Sequence, residues 1–221
     1  MTVSTAKRKR LVTVLLERHG RTFSEELGLD LGRNKPSPLF RWLCAALLMS
    51  ARISAGQAVA AARALAQAGW RTPQAMAAST WRERVRVLNR AGYARYDEST
   101  ARMLADSTAW LLSEYKGDLR RLRRAAGEDP AEERRRLKAF KGIGDVGADI
   151  FFREMQLAWD ELYPFADRKA CAAAQPLGLP ARPRELARLV PKKQFPRLVT
   201  ALVRADLARD LEAVREAAAS K

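Results

Sequence analysis

The sequence predicts an all-α fold on three grounds. Helix-start signals recur along the chain, apolar residues return at i, i+3, i+4 and i+7, and no run of alternating β-branched residues stands between turns. Taken in order, the segment Leu39 to Ala51 is apolar nearly all round, which places it at the centre of a core. Thr72-Pro73 offers an N-cap with proline at the first helical position. Thr80 with Glu83 forms a capping box ahead of Val85, Val87 and Leu88, and Asp129-Pro130 with Glu132 opens a further helix in the same manner. Ala148, Phe151, Phe152, Met155 and Trp159 line one helical face. Phe195, Leu198, Val199, Leu202 and Val203 repeat that pattern near the end, continued by Leu207, Leu211 and Val214. Breaks at Gly28–Pro38, Gly69–Pro73, Gly92, Gly127–Pro130, Gly142–Gly147, Pro164 and Gln175–Pro183 leave roughly ten helices on short connections.

The balance of charge points to a polyanionic partner. Among 221 residues, 41 Lys and Arg face 25 Asp and Glu, a formal net charge of +16, and nucleic acid is the commonest polyanion. A hydrophobic share of 48% argues against disorder. No apolar run reaches the roughly 18 to 20 residues that span a bilayer, and Met1 to Arg10 is basic without the apolar stretch of a secretory signal. The two cysteines, Cys44 and Cys171, exclude a disulfide scaffold, a four-thiolate zinc site and a four-cysteine iron–sulfur cluster. A soluble, cytoplasmic protein without metal or other cofactor is expected. Cys44, on an apolar helix, reads as core, and the sole histidine, His19, as a surface or packing residue.

The most informative segment runs from Leu137 to Ala148, Leu-Lys-Ala-Phe-Lys-Gly-Ile-Gly-Asp-Val-Gly-Ala. One helix ends at a Gly-Ile-Gly turn and another begins at once. Glycines permit a positive φ and a close approach of main chain to ligand. The helix that follows offers unpaired amides and the positive end of its dipole, which together form a cradle for phosphate. Ile143 is expected to tuck between the two helices. A glycine-terminated helical hairpin without ligand accounts for these residues equally well.

Leu137 to Ala148 resembles the helix-hairpin-helix of the endonuclease III-like DNA glycosylases. Three further blocks fall in that family's order: Pro38-Leu39-Phe40 through Leu47-Leu48-Met49-Ser50-Ala51-Arg52, Ala91-Gly92-Tyr93-Ala94-Arg95, and Phe165-Ala166-Asp167-Arg168. The resemblance implies two helical lobes, a barrel over 38–150 closing with the hairpin, and a second lobe made of 1–37 with 151–221. It implies Asp167 as the essential carboxylate, expected in a cleft facing the hairpin, where it would stabilise charge on the deoxyribose as an N-glycosidic bond breaks. It implies DNA contacts at Lys141, Gly142, Ile143, Gly144, Gly147, Arg52 and Tyr93. Double-stranded DNA carrying damage is the implied partner, base-excision repair the implied setting, and a monomer the implied form. Base excision requires the nucleotide to swing out of the stack, which is why wedge residues accompany a phosphate grip.

Departures from the pattern leave alternatives. Bifunctional members carry a nucleophilic lysine where this chain has Val146, so hydrolysis without efficient lyase activity is expected, and Lys141 stands as phosphate contact or displaced nucleophile. Arg52 replaces the family's glutamine, and reads as a contact to phosphate or a guanine edge, or as a block to the pocket. Tyr93 reads as wedge or as half-buried turn aromatic. Asp145 opposes phosphate binding unless it points away, and Asp167 is equally an N-cap for the helix after it. A non-catalytic binder of damaged or distorted DNA, and an abasic-site lyase using Lys141, are the competing functions. The family's C-terminal four-cysteine cluster has no ligands here, since no cysteine follows Cys171.

Overall fold

A computed structural model describes residues 5–219, so the first four residues of the basic stretch Met1 to Arg10 lie outside the described span. The helices in chain order are α1 (Thr5–His19), α2 (Phe23–Glu26), α3 (Pro36–Met49), α4 (Ala55–Gln67), α5 (Pro73–Ala77), α6 (Trp81–Arg90) and α7 (Asp97–Tyr115). They continue as α8 (Leu119–Ala125), α9 (Pro130–Leu137), α10 (Asp145–Met155), α11 (Arg168–Ala174), α12 (Pro183–Leu186), α13 (Phe195–Leu207) and α14 (Leu211–Ala219). Short 3-10 turns fill several connections, and no strand occurs among the described residues. The protein is all-α. No described helix is long and apolar enough to cross a membrane.

The chain forms two units, Glu26–Phe151 and Met1–Glu25 with Phe152–Lys221. The expected division put residues up to 37 in the second of these, and the structure moves that boundary. Leu27, Leu29 and Leu31 are buried, and the carbonyls of Leu27 and Glu26 accept from Arg41 Nη2 at 3.2 Å and Arg63 Nη2 at 3.1 Å. Those donors sit on α3 and α4, so the segment is tied to the helices that follow it.

In the unit Glu26–Phe151, α3 is the central helix. Leu39, Phe40 and every residue from Trp42 to Leu48 are buried, and the Trp42 indole donates to the carbonyl of Phe151 at 3.0 Å. The helix starts obey local rules. Thr72 accepts from the Ala75 amide, Thr80 and Glu83 exchange the two bonds of a capping box, and Asp129 receives the amides of Ala131 and Glu132. Ser54 with Gln57 makes a second capping box at the start of α4.

α6 ends in a turn that decides the fate of Tyr93. Gly92 adopts φ +81°, its amide donates to Asn89, and the Tyr93 amide reaches back to Leu88 at 3.0 Å. This is the Schellman closure, in which the residue after the glycine packs against the helix it has just left. Tyr93 is accordingly 1% exposed, with its hydroxyl donated to the carbonyl of Leu48 at 3.0 Å. Its expected role as a wedge or DNA contact is therefore corrected: it is a core side chain, and burial pushes its phenol upward in pKa.

In the unit Met1–Glu25 with Phe152–Lys221, Leu11 and Leu15 of α1 pack in one cluster with Phe195, Leu198, Val199 and Leu202 of α13 and Val214 of α14. Each fully buried side chain of that size contributes roughly 1.5–3 kcal/mol. Glu154, at the end of α10, is also sealed there. Its carboxylate accepts the amides of Phe23 and Ser24, each at 2.8 Å, and the Thr200 hydroxyl at 3.3 Å. Burial raises its pKa against the lowering effect of those bonds. His19 is held by Asp210, Nε2 to Oδ2 at 2.6 Å, consistent with a packing role.

Replacing Tyr93 by Phe removes one buried hydrogen bond and is expected to cost about 1 kcal/mol. Tyr93→Ala opens a cavity and is expected to cost about 3–5 kcal/mol. Urea unfolding checks both as a lowered midpoint at unchanged slope.

Candidate functional site

The turn between α9 and α10 is built from the inside outward. Phe140 is buried and stacks on Tyr115 at the end of α7, ring centroids 6.2 Å apart. The Lys141 carbonyl accepts the Ser107 hydroxyl at 2.7 Å. Gly142 adopts φ +88°, and a Cβ there would stand 2.9 Å from Met103 Sδ and 3.3 Å from the Leu47 side chain. Only glycine satisfies both the backbone angle and that packing. Ile143 is 3% exposed and lies over Gly147, where an added Cβ would meet its Cδ1 at 3.3 Å. Three of the residues expected to touch DNA also serve the packing of the turn. Gly142 and Gly147 make room for side chains, and Ile143 is the plug that holds the turn.

What faces outward is the first turn of α10. The first amide to bond back along this helix is that of Ala148, to Gly144 O at 3.0 Å. The amides of Asp145, Val146 and Gly147 precede it, the orphan donors of a helix start. Around Gly144 nothing lies within 4 Å of where a Cβ would stand, and Gly144, Asp145 and Val146 are all exposed. Val146 is 59% exposed, an apolar side chain next to the open amides. Lys141 is exposed beside them.

Ion pairs brace the two helices on the side away from Ile143. Lys138 Nζ meets Asp145 Oδ1 at 2.7 Å, and Arg134 Nη2 meets Asp149 Oδ1 at 2.5 Å. Asp145 is thereby turned toward α9. The hydrogen bond and charge of Lys138, then the charge of Arg134, hold its carboxyl below the usual range. On α9 itself Glu132 pairs with Arg135 and Arg136, and the Arg135 hydrogen bond brings its pKa down to about 2.

Arg52 is exposed in the loop after α3, where sequence reasoning put a DNA contact. The same loop borders the hairpin, since Ser50 Oγ lies 3.5 Å from Gly142 O while also donating to Leu47 O at 2.7 Å. Arg52 thus lies two residues beyond a side chain that approaches the hairpin, Lys141 and Gly144 are exposed within the hairpin, and Tyr93 is buried.

Asp167, in the other unit, is 5% exposed and both its oxygens are engaged. Oδ1 accepts the Ala170 amide at 2.8 Å, the N-cap of α11. Oδ2 receives Arg153 Nε at 2.9 Å and also Arg153 Nη2. Arg153 is itself 4% exposed, so the pair is a buried, two-pronged ion pair. The cap reading of Asp167 is what the structure displays. Arg153 was missed from the sequence. Its signal was an Arg-Glu pair, Arg153-Glu154, inside the apolar run from Ile150 to Met155, where charges need buried partners.

The thiols do not suit a cluster. Cys44 is buried in α3 and burial pushes it up to about 12, while Cys171 lies half-buried in α11, its pKa also raised by burial. Two cysteines cannot supply the four thiolates that an iron–sulfur cluster takes.

No family model matches this chain, and no curated protein sequence does. Among solved structures, one of a trapped endonuclease III–DNA covalent intermediate, an estranged-adenine complex, is similar over 74% of this chain and 71% of that chain, with 18% identity and a TM-score of 0.48.

The Arg153–Asp167 pair sets an expected outcome. Arg153→Ala leaves a buried carboxylate without its counter-charge and is expected to destabilise by about 3–5 kcal/mol. Denaturant unfolding of the full chain measures it, and a loss under about 1 kcal/mol would contradict burial of the pair.

Proposed function

We propose that this protein binds duplex DNA by seating a backbone phosphate on the first turn of α10, and that it recognises the duplex without breaking a bond in it. The carrying observation is the exposed run Gly144–Val146, at the start of a helix whose first amides make no main-chain bond, on a turn held by Gly142 and Ile143. A phosphate oxygen accepts such amides, and the helix dipole adds to the attraction. Lys141 supplies a charge beside the cradle, Val146 an apolar surface for the sugar, and Arg52 a charged fork suited to a widened or distorted groove. The net charge of +16 gives the sequence-independent attraction that such binding needs.

The state of Asp167 supports the reading without a chemical step. A carboxylate that stabilises a developing oxocarbenium must present net negative charge to it. Asp167 is neutralised by Arg153 on one oxygen and committed to a helix cap on the other. Hydrolysis of an N-glycosidic bond is the second reading. It is favoured by the fixity of that carboxylate, and it requires Arg153 to leave Oδ2 first. Lyase chemistry at Lys141 has less support, because the residue is exposed beside the phosphate cradle, where an ammonium serves as a counter-charge.

Gly144→Ala adds a methyl that the fold accommodates and a phosphate does not. It is expected to leave stability unchanged and weaken duplex binding about tenfold or more, the value of a hydrogen bond to a charged group. Fluorescence anisotropy on intact, mismatched and abasic duplexes measures it, with unchanged affinity counting against the cradle. The same wild-type protein, incubated with duplexes carrying uracil, oxidised pyrimidine, alkylated purine or abasic sites, is expected to release no base. Base release that Asp167→Asn abolishes would establish the hydrolytic reading instead.

Asp145→Asn is expected to tighten binding about fivefold, since it frees the charge of Lys138 from its ion pair and removes one anion from the neighbourhood of the cradle. Because Lys138 and Arg134 hold the Asp145 carboxyl below the usual carboxylate range, it stays ionised at neutral pH, and any gain in wild-type affinity from protonating it is confined to acid below that range. A pH titration of wild type against the Asn variant reads that window.

A further inference from the structure

The hairpin holds little unspent positive charge: Arg134, Arg135, Arg136 and Lys138 are each ion-paired to Glu132, Asp145 or Asp149. A protein that grips DNA electrostatically needs cations outside such pairs. α6 carries them. Of its four arginines, Arg84 turns inward, where Nε donates to Ala101 O at 3.1 Å and Nη1 to Ser79 O at 2.6 Å. Arg82, Arg86 and Arg90 are exposed, at i, i+4 and i+8, on the face opposite Arg84 and Leu88. None of them closes a salt bridge among the described residues, although the charge of Arg86 acts on the Glu83 carboxyl. Glu83, the nearby carboxylate on the same helix, is folded back onto the Thr80 amide at 2.7 Å and hydroxyl at 2.8 Å. The three arginines line a shallow groove of about 400 Å³ with Trp81, Val85 and Asn89.

The position of this row matters as much as its charge. The turn that ends α6 is fastened to α3 and α4, the two helices that flank the loop bordering the hairpin. Tyr93 donates to Leu48 O, and Gln57 Nε2 donates to Gly92 O at 3.2 Å. Arg90 therefore lies at the end of α6 nearest Arg52 and Gly142, and Arg86 and Arg82 lead away from it. From Arg82 to Arg90 the helix rises about 12 Å. One DNA strand carries a phosphate per about 3.4 Å of axis, so the row spans about three to four phosphates.

We propose that the Arg82–Arg86–Arg90 face of α6 is a second DNA contact, a backbone track that extends the footprint beyond the hairpin and reads no bases. It rests on the duplex-binding reading above. The guanidinium row matches a repeating phosphate strand, and the carboxylates around it are engaged elsewhere, Glu83 on the Thr80 cap, Asp97 on Asn89 and Glu98 on Arg102, which leaves the row net cationic. The hairpin fixes where the duplex is held, and the track supplies most of its salt-dependent affinity.

The test is the slope of log affinity against log salt for a duplex of roughly 20 base pairs (about two turns). Wild type, Gly144→Ala and the triple variant Arg82→Gln/Arg86→Gln/Arg90→Gln are compared, with thermal melting as the folding control. Glutamine keeps the helix propensity of these exposed positions. The track predicts that the triple variant melts like wild type, binds at least about tenfold more weakly near 0.15 M salt, and loses about 0.9 in slope per arginine. Gly144→Ala, which removes amide contacts and no cation, is expected to keep the wild-type slope. The triple variant Arg82→Lys/Arg86→Lys/Arg90→Lys is expected to restore the slope, since counter-ion release counts charge. A glutamine variant with wild-type slope and affinity overturns the track while the cradle stands. Wild type that binds no duplex overturns both.

Discussion

The turn at Gly142 is the constraint from which the rest of the hairpin edge follows. Its backbone must take a positive φ while its α-carbon presses on Met103 and Leu47, and its neighbour Ile143 must fill the space over Gly147. Once those inward contacts are made, the chain has one direction left in which to start α10, and the first amides of that helix open to solvent. The ion pairs across α9 and α10 then steer Asp145 aside, removing a negative charge that otherwise stands in front of the cradle.

Fixing the turn in this way has an electrostatic consequence. The cations that brace the hairpin are used up in doing so, which makes the hairpin a site of geometry more than of charge. In the proposed complex, affinity for a polyanion comes from elsewhere on the same unit, from the exposed arginine row of α6. This division between a neutral clamp that sets position and a cationic face that sets strength follows the usual partition between backbone-positioning contacts and long-range attraction.

Asp167 belongs to a different physical problem. A buried carboxylate needs a partner, and Arg153 satisfies that need with two nitrogens while α11 uses the remaining oxygen. That arrangement makes Asp167 structurally secure, with a counter-charge on one oxygen and a helix cap on the other. Nearby, Glu154 solves its burial differently, through two main-chain amides and a hydroxyl. The last turn of α10 is thus a strip of buried acid and base serving the packing of its unit.

Much of this was legible in the residues. Capping boxes and apolar spacing involve partners within four positions, so Thr80 with Glu83, Asp129 with Glu132, and the all-round apolar α3 could be read directly, as could the glycine turn and the plug role of Ile143. Side-chain direction in a turn and the pairing of buried charges could not. Tyr93 looked equally like a wedge until the backbone bond to Leu88 turned it into the core, and the cap at Asp167 was visible while its guanidinium partner fourteen residues earlier was not. Local patterns are set by the chain's own periodicity, whereas a buried ion pair or a packed aromatic is chosen by what other segments leave unfilled, and only folding brings those segments together.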